Sequence, residues 1–145
     1  MATFERSAHV DWDGNLKEGK GEVKGSTGAF SLPVSFPARV EKPGGKTSPE
    51  ELIAAAHAAC YAMAFSNELN KLGHPPQSLH VAAKATFEVG AGGARIASVD
   101  LDVKAKVPGL DNQAFQQAAD GAKTGCPVSK ALAGNVDIRL QAVLE

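Results

Sequence analysis

Only two of the 145 residues are cysteine, Cys60 and Cys126. Two are too few for a disulfide scaffold, and too few on their own for a structural zinc site. Charge imbalance is missing as well: 15 basic and 16 acidic side chains leave a formal net charge of −1. No polybasic run or interleaved aromatic stripe is there to suit nucleic acid. Long apolar runs are also absent, since Glu68 and Lys71 interrupt the longest one before it reaches membrane-spanning length. The opening "MATFERSAHVDWDGN" lacks the charged-then-apolar layout of a secretory signal. These absences predict a soluble, cytoplasmic protein, one domain over residues 1–145, large enough to bury a real core.

Turn and cap signals divide the chain clearly. Residues 2–12 and 15–24 carry β-compatible runs around "DWDGN", where Asp13-Gly14 suits a tight hairpin turn. "GSTG" at 25–28 makes a second turn. "AFSLPVSF" at 29–36 reads as a third strand, which Pro33 places at an edge or a bulge. After the loop "EKPGGKTS", Ser48 is a helix N-cap, Pro49 suits the first helical position, and Glu51 completes an S-x-x-E capping box. Gly73 and then Pro75-Pro76 stop this helix. Over residues 49–72 it spans about 36 Å. From Leu52 to Phe65 only His57 breaks its apolar surface, which predicts burial on every side.

"LHVAAKATFEVG" and "ARIASVDLDVKAKV" form a second hairpin around "GAGGA". A second helix starts near Asp111-Asn112 and weakens at Gly121, and "TGCPVSKALAG" restarts a short helical turn at Pro127. Ile138, Leu140, Ala142 and Leu144 alternate as in a closing strand. The order is βββ-α-ββ-α-β, an α+β fold. Six strands of a chain this small cannot easily cover a helix that is apolar all round, and its alanines admit a second helix backbone at close range. Both features predict a partner subunit related by a two-fold axis.

In a reducing compartment the cysteines are either two unrelated buried thiols or a redox couple, and counting alone favours the first. Position adds information. Cys126 precedes Pro127 at a helix start, where free N–H groups stabilise a thiolate. Cys60 lies mid-helix among alanines, where burial makes a thiol inert unless a cation is brought to it. Arg39, at a strand-to-loop junction before the helix, is the candidate cation, with a solvated surface arginine as the plain alternative. Glu50 is about 15 Å of helix rise from Cys60, so to serve that site it must come from an antiparallel partner helix. Otherwise it simply complements the helix dipole. His57 reads as a hydrogen-bonded core histidine; a general base, or a metal ligand with Cys60 and Cys126, are the alternatives. "GAGGA" joins two strands and opens no helix, so it is not a phosphate loop.

"TSPEELIAAAHAACYAMAFS" at 47–66 together with "TGCPVSKALAGNVDIRL" at 124–140 resembles the OsmC/Ohr family of bacterial thiol peroxidases, and the likeness, OsmC-like in both cysteine motifs, runs essentially the full length. The resemblance implies a sheet wrapped around a long buried helix in an intertwined homodimer with two shared active sites. It implies cysteine-based reduction of organic hydroperoxides without metal, haem or flavin cofactor, recycled by an external dithiol such as a lipoyl protein. Cys60 matches the peroxidatic cysteine and Cys126 the resolving one, with a Cys60–Cys126 disulfide between them. Glu50 matches the glutamate that pairs with the active-site arginine, and Arg39 that arginine. Met63 and Phe65 are candidates to shape an alkyl pocket, with core packing as their plainer role. The rival readings are a carrier of an apolar ligand with passive cysteines, and a metal-dependent hydrolase using Cys60, Cys126 and His57.

Overall fold

The computed structural model describes residues 1–145. They gather into two compact units, residues 1–52 and residues 53–145, each with its own internal packing. The long helix begins in the first and ends in the second.

In the first unit, β1 (Ala8–Asp13), β2 (Lys20–Gly25) and β3 (Ser31–Val34) form an antiparallel sheet in that order. Asp13 pairs with Lys20, so Asp13-Gly14 opens a longer loop over residues 14–19 and is not itself the tight turn its sequence suggests. Local hydrogen bonds select the longer loop. The Trp12 indole donates to the Gly14 carbonyl (2.9 Å), and Asn15 accepts from the Glu18 N–H through its side chain (2.8 Å). Pro33 does lie on an edge strand, opposite Glu22, and its carbonyl accepts the Thr47 N–H at 2.9 Å.

One element lacks a clear sequence signal: α1 (Phe36–Val40), a single turn with Pro37 near its start and the Ser35 hydroxyl accepting from the Ala38 N–H (3.3 Å). Arg39 therefore sits in the last turn of a helix, and the strand-to-loop placement is corrected. Then α2 (Pro49–Lys71) begins. Ser48 accepts from the Glu51 N–H (3.2 Å), which is half of the expected capping box. The other half is replaced, because the Glu51 carboxylate accepts from the Thr47 hydroxyl at 2.7 Å.

The second unit holds the rest of α2, then β4 (Ser78–Gly90), β5 (Gly93–Lys106), α3 (Asn112–Gly125), α4 (Pro127–Leu132) and β6 (Asp137–Leu144). α2 ends as its sequence predicts. Gly73 takes φ +79°, a left-handed conformation glycine adopts freely, and the His74 N–H returns to the Leu69 carbonyl (3.0 Å). β4 and β5 are antiparallel; β6 returns parallel to β5 after the two helices, giving the order β4-β5-β6. Asp111 caps α3 by accepting from the Ala114 N–H (2.9 Å). The helix does not break at Gly121, which faces solvent while Ala118, Ala119 and Ala122 anchor the opposite face.

Period-2 alternation on β5 puts Val99, Leu101, Val103 and Ala105 on one face. They join Tyr61, Phe65 and Leu69 of α2 and Phe115 of α3 in one buried cluster. The Phe65 ring packs tilted against Tyr61 (centroids 5.6 Å apart) and Phe115 (5.3 Å). Phe65 is thus a core residue, whereas Met63 is 73% exposed. The expectation that α2 is enclosed on every side fails within one chain. Ala54, His57, Tyr61, Phe65 and Leu69 form a buried stripe, but Ala55, Ala56, Ala59 and Met63 face outward, because one three-stranded sheet and α3 cover one side only. No helix is long and apolar enough to cross a membrane.

Phe65 is fully buried and contacts two other rings, so Phe65→Ala is expected to cost about 3–5 kcal/mol of stability. Urea titration should show a lower midpoint at unchanged slope; a loss below about 1 kcal/mol contradicts its central place in the core.

Candidate active site

Two polar constellations stand out, one in each unit. In the first, Arg39 and Glu50 form a two-pronged ion pair. The Arg39 Nε donates to Glu50 Oε1 (2.9 Å) and Oε2 (3.1 Å), and Nη2 donates to Oε1 at 2.6 Å. Glu50 is 7% exposed, and the Arg39 side chain is about one-third exposed. Such a fork satisfies both carboxylate oxygens and fixes the guanidinium plane. Beside it lies an apolar cavity of about 290 Å³ lined by Val10, Trp12, Val23, Val34, Phe36 and Leu52 together with Arg39.

In the second unit, the mid-helix sulfur of Cys60 and the sulfur of Cys126 at the α3–α4 junction lie 3.0 Å apart as free thiols. The 66 positions between them are bridged by folding α3 back along α2. Cys126 is fully buried, whereas Cys60 keeps part of its surface. Burial pushes the Cys60 thiol up, its contact with Cys126 adds to that, and the Val128 N–H opposes both. Burial also pushes Cys126 up. There, however, the Cys60 thiol, the N–H and hydroxyl of Ser129 and the Val128 N–H together bring it below the ordinary thiol range.

One turn before Cys60 on α2, His57 is fully buried. Its Nε2 lies 2.7 Å from the Ser129 Oγ, and its Nδ1 has no hydrogen-bond partner. Burial lowers its pKa, so it is neutral in the fold. No group of three or more His, Cys, Asp or Glu residues is arranged to hold a metal ion. His57 is therefore the buried, hydrogen-bonded histidine its sequence context suggests. Ser129 went unnoticed in the sequence. The available signal was its place three residues after Cys126, on the same face of a short helix.

The sequence and the fold have known counterparts. Residues 42–141 match the family model for OsmC-like proteins. The chain is 36% identical over 140 residues to the Peroxiredoxin OsmC of Escherichia coli strain K12, covering 96% of this chain and 97% of that one. It is 32% identical over 148 residues to an organic hydroperoxide resistance protein of Xanthomonas axonopodis pv. citri, covering 97% and 98%. In fold it is similar to an organic hydroperoxide resistance protein OsmC of Legionella pneumophila, with a TM-score of 0.75 at 24% identity over 98% of both chains. It is likewise similar to OhrB of Bacillus subtilis, with a TM-score of 0.72 at 23% identity over 94% of this chain and 98% of that one.

The buried neutral histidine makes a pH prediction. Its folded pKa lies below the ordinary 6.5, so as pH falls through 6.5 the unfolded chain binds a proton that the folded one resists. Stability is then fully present above 6.5 and is lost on the acid side. In urea titrations from about pH 8 to about pH 5.5, His57→Gln should lose less stability than the unaltered protein. Equal losses contradict a neutral His57 in the fold.

Proposed function

The chain belongs to the OsmC/Ohr family, and on that premise we propose that it is a thiol-dependent peroxidase reducing organic hydroperoxides to alcohols. The observation that carries this reading is the 3.0 Å approach of the sulfurs of Cys60, a partly exposed residue, and Cys126, a fully buried one. The Cys60 thiolate attacks the distal oxygen of the hydroperoxide. The O–O bond breaks, the alkoxide takes a proton and leaves as the alcohol, and Cys60 becomes a sulfenic acid. Cys126 attacks that sulfur; an S–S bond forms, and hydroxide leaves with the Cys126 proton as water. An external dithiol, a lipoyl protein or similar, reopens the disulfide by exchange and is itself oxidised. Sulfur serves as both nucleophile and electron relay, so no cofactor is needed.

Cys60 requires help to ionise. The influences on its thiol are burial, Cys126 and a backbone N–H, and none is a cation. Arg39 is the proposed source of charge, held in place by Glu50. Arg39 is bound to Glu50, which stands about 15 Å of helix rise from Cys60. The reading that follows is a homodimer with composite sites, each joining the Arg39–Glu50 pair of one chain to the thiols of the other. The outward alanines and Met63 of α2, and the exposed Val10, Trp12 and Leu16, support a covering partner. The apolar cavity beside Arg39 suits the alkyl part of a substrate.

One equivalent of an alkyl hydroperoxide should remove two hydrogens within one chain by mass, and Cys60→Ser should lower turnover by at least about 1,000-fold. Cys126→Ser should halt after one turnover with a trappable sulfenic acid. Irreversible overoxidation of unaltered Cys60 at that dose speaks against a resolving partner.

Composite sites predict complementation. Cys60→Ser and Glu50→Ala chains, inactive apart, should regain activity when unfolded and refolded together, because a mixed dimer assembles one intact site. Confirmed heterodimers with no gain over either parent sink the shared-site reading.

A further inference from the structure

Three polar contacts between α2 and the α3–α4 segment run in register. The His57 Nε2 lies 2.7 Å from the Ser129 Oγ, the Cys60 sulfur lies 3.0 Å from the Cys126 sulfur, and the Tyr61 hydroxyl donates to the Ala119 carbonyl at 2.9 Å. Along α2 the order is 57, 60, 61; on the facing segment it is 129, 126, 119. The thiol contact is thus bracketed by two buried hydrogen bonds. The Tyr61 bond ties α2 to α3. The His57 bond ties it to α4, and the peroxidase chemistry above does not use it.

α4 has little else to hold it there. Of its six residues only Ser129 is buried, at 4% exposed, while Val128 and Leu132 are half-buried and the others face solvent. The deepest side chain of this short helix is therefore a hydroxyl. A hydroxyl is costly to bury without a partner, and so is the imidazole of His57, which is 0% exposed. Each supplies the other's partner, although the His57 Nδ1 stays unpartnered. A hydrogen bond also fixes distance and direction, which a contact between apolar groups does not. Local structure carries that constraint to the sulfurs. The Lys130 N–H donates to the Cys126 carbonyl at 3.0 Å, closing the turn that joins residues 126 and 129. His57 and Cys60 share the same three-residue spacing on α2.

We infer that His57 and Ser129 are positioning residues: their hydrogen bond clamps α4 against α2 and so sets the approach of Cys126 to Cys60 from which the disulfide closes. For its use in turnover the clamp rests on the peroxidase reading; as a determinant of disulfide formation it does not. In closure the Cys126 sulfur attacks the Cys60 sulfenic sulfur, an S–S bond forms, and hydroxide leaves with the Cys126 proton as water. Holding the two sulfurs together makes that step intramolecular, at a high effective concentration. Neither His57 nor Ser129 exchanges a proton in it.

The test is the equilibrium with glutathione, in which glutathione disulfide and the two protein thiols give the protein disulfide and two glutathione thiols. Its constant is the effective concentration of Cys60 and Cys126. The double variant His57→Leu/Ser129→Ala removes both polar partners and orphans neither, so its urea midpoint should stay close to that of the unaltered protein. Its effective concentration should nonetheless fall by about tenfold, and the sulfenic acid formed by one equivalent of alkyl hydroperoxide should last about tenfold longer. Each single substitution should lower the effective concentration as far as the double one, since either breaks the same bond. His57→Gln, whose amide can donate or accept near the Nε2 position, should restore it. An unmoved effective concentration in the folded double variant overturns the clamp. So do single effects that add in the double variant, or a His57→Gln protein that stays low. Should the variants not fold, nitrogen NMR of the unaltered protein decides: a hydrogen-bonded His57 Nε2 in both the dithiol and the disulfide forms supports the clamp, and its loss in either overturns it. Absence of hydroperoxide turnover strikes the peroxidase reading, and the glutathione equilibrium, which needs no hydroperoxide, still judges the clamp.

Discussion

The Tyr61 hydroxyl donates to the Ala119 carbonyl of α3 at 2.9 Å, deep in the second unit. With the Phe65–Phe115 ring contact one turn on, it fixes the rotation of α2 about its axis. Everything chemical depends on that angle. Residues 57, 61, 65 and 69 recur every four positions and form the buried stripe. Cys60 lies about 100° around the helix from Tyr61, at the edge of that stripe. At the edge, its sulfur touches a buried partner and still keeps some surface. A rotation of one residue would either drown Cys60 in the core or turn it away from Cys126.

The same rotation pairs two i, i+3 sets face to face. His57 and Cys60 lie on α2, and Ser129 and Cys126 lie at the α4 end. Sulfur meets sulfur and imidazole meets hydroxyl. The two thiols are shifted unevenly, Cys60 up and Cys126 down from the ordinary thiol range. In the proposed reaction this unevenness is why an arginine is needed. In that reading the Cys60 thiol, pushed up by burial, obtains its charge stabilisation from a cation. The Arg39–Glu50 fork is built for constancy, since three short contacts leave the guanidinium little freedom.

Much of this was legible in the residues. The six strands, the long helix with its Ser48 cap and Gly73 stop, and the Asp111 start of α3 follow from local chemistry that tertiary packing did not override. Local rules failed where short-range competitors intervened. Asp13-Gly14 lost to the Trp12 and Asn15 hydrogen bonds, and Glu51 found Thr47 instead of completing its capping box. The five-residue α1 carries Arg39 but is too short to show a period. The apolar run from Leu52 to Phe65 announced burial all round. Alanine is apolar without being large, and the helix exposes its alanines while burying its rings. For the site, residue types at Cys60, Cys126, Arg39 and Glu50 could be chosen from sequence, but their distances could not. Contact between residues 60 and 126 depends on how α3 packs along α2. Ser129 carried no signal beyond its spacing from Cys126, because one serine in a short helix resembles any other.

Unequal burial of the two sulfurs orders the proposed cycle. A hydroperoxide can approach only a sulfur with free surface, which is Cys60. Once oxidised, that sulfur is still the accessible end of the disulfide, so the reductant meets the same atom. Exchange at Cys60 expels Cys126, whose pKa already lies below the ordinary thiol range. Were the exposures reversed, the reductant would attack Cys126 and expel Cys60, whose pKa lies above the ordinary thiol range. In the proposed cycle the exposed thiol draws its charge from another segment of chain, which would tie its reactivity to assembly, while Cys126 lies wholly within residues 53–145.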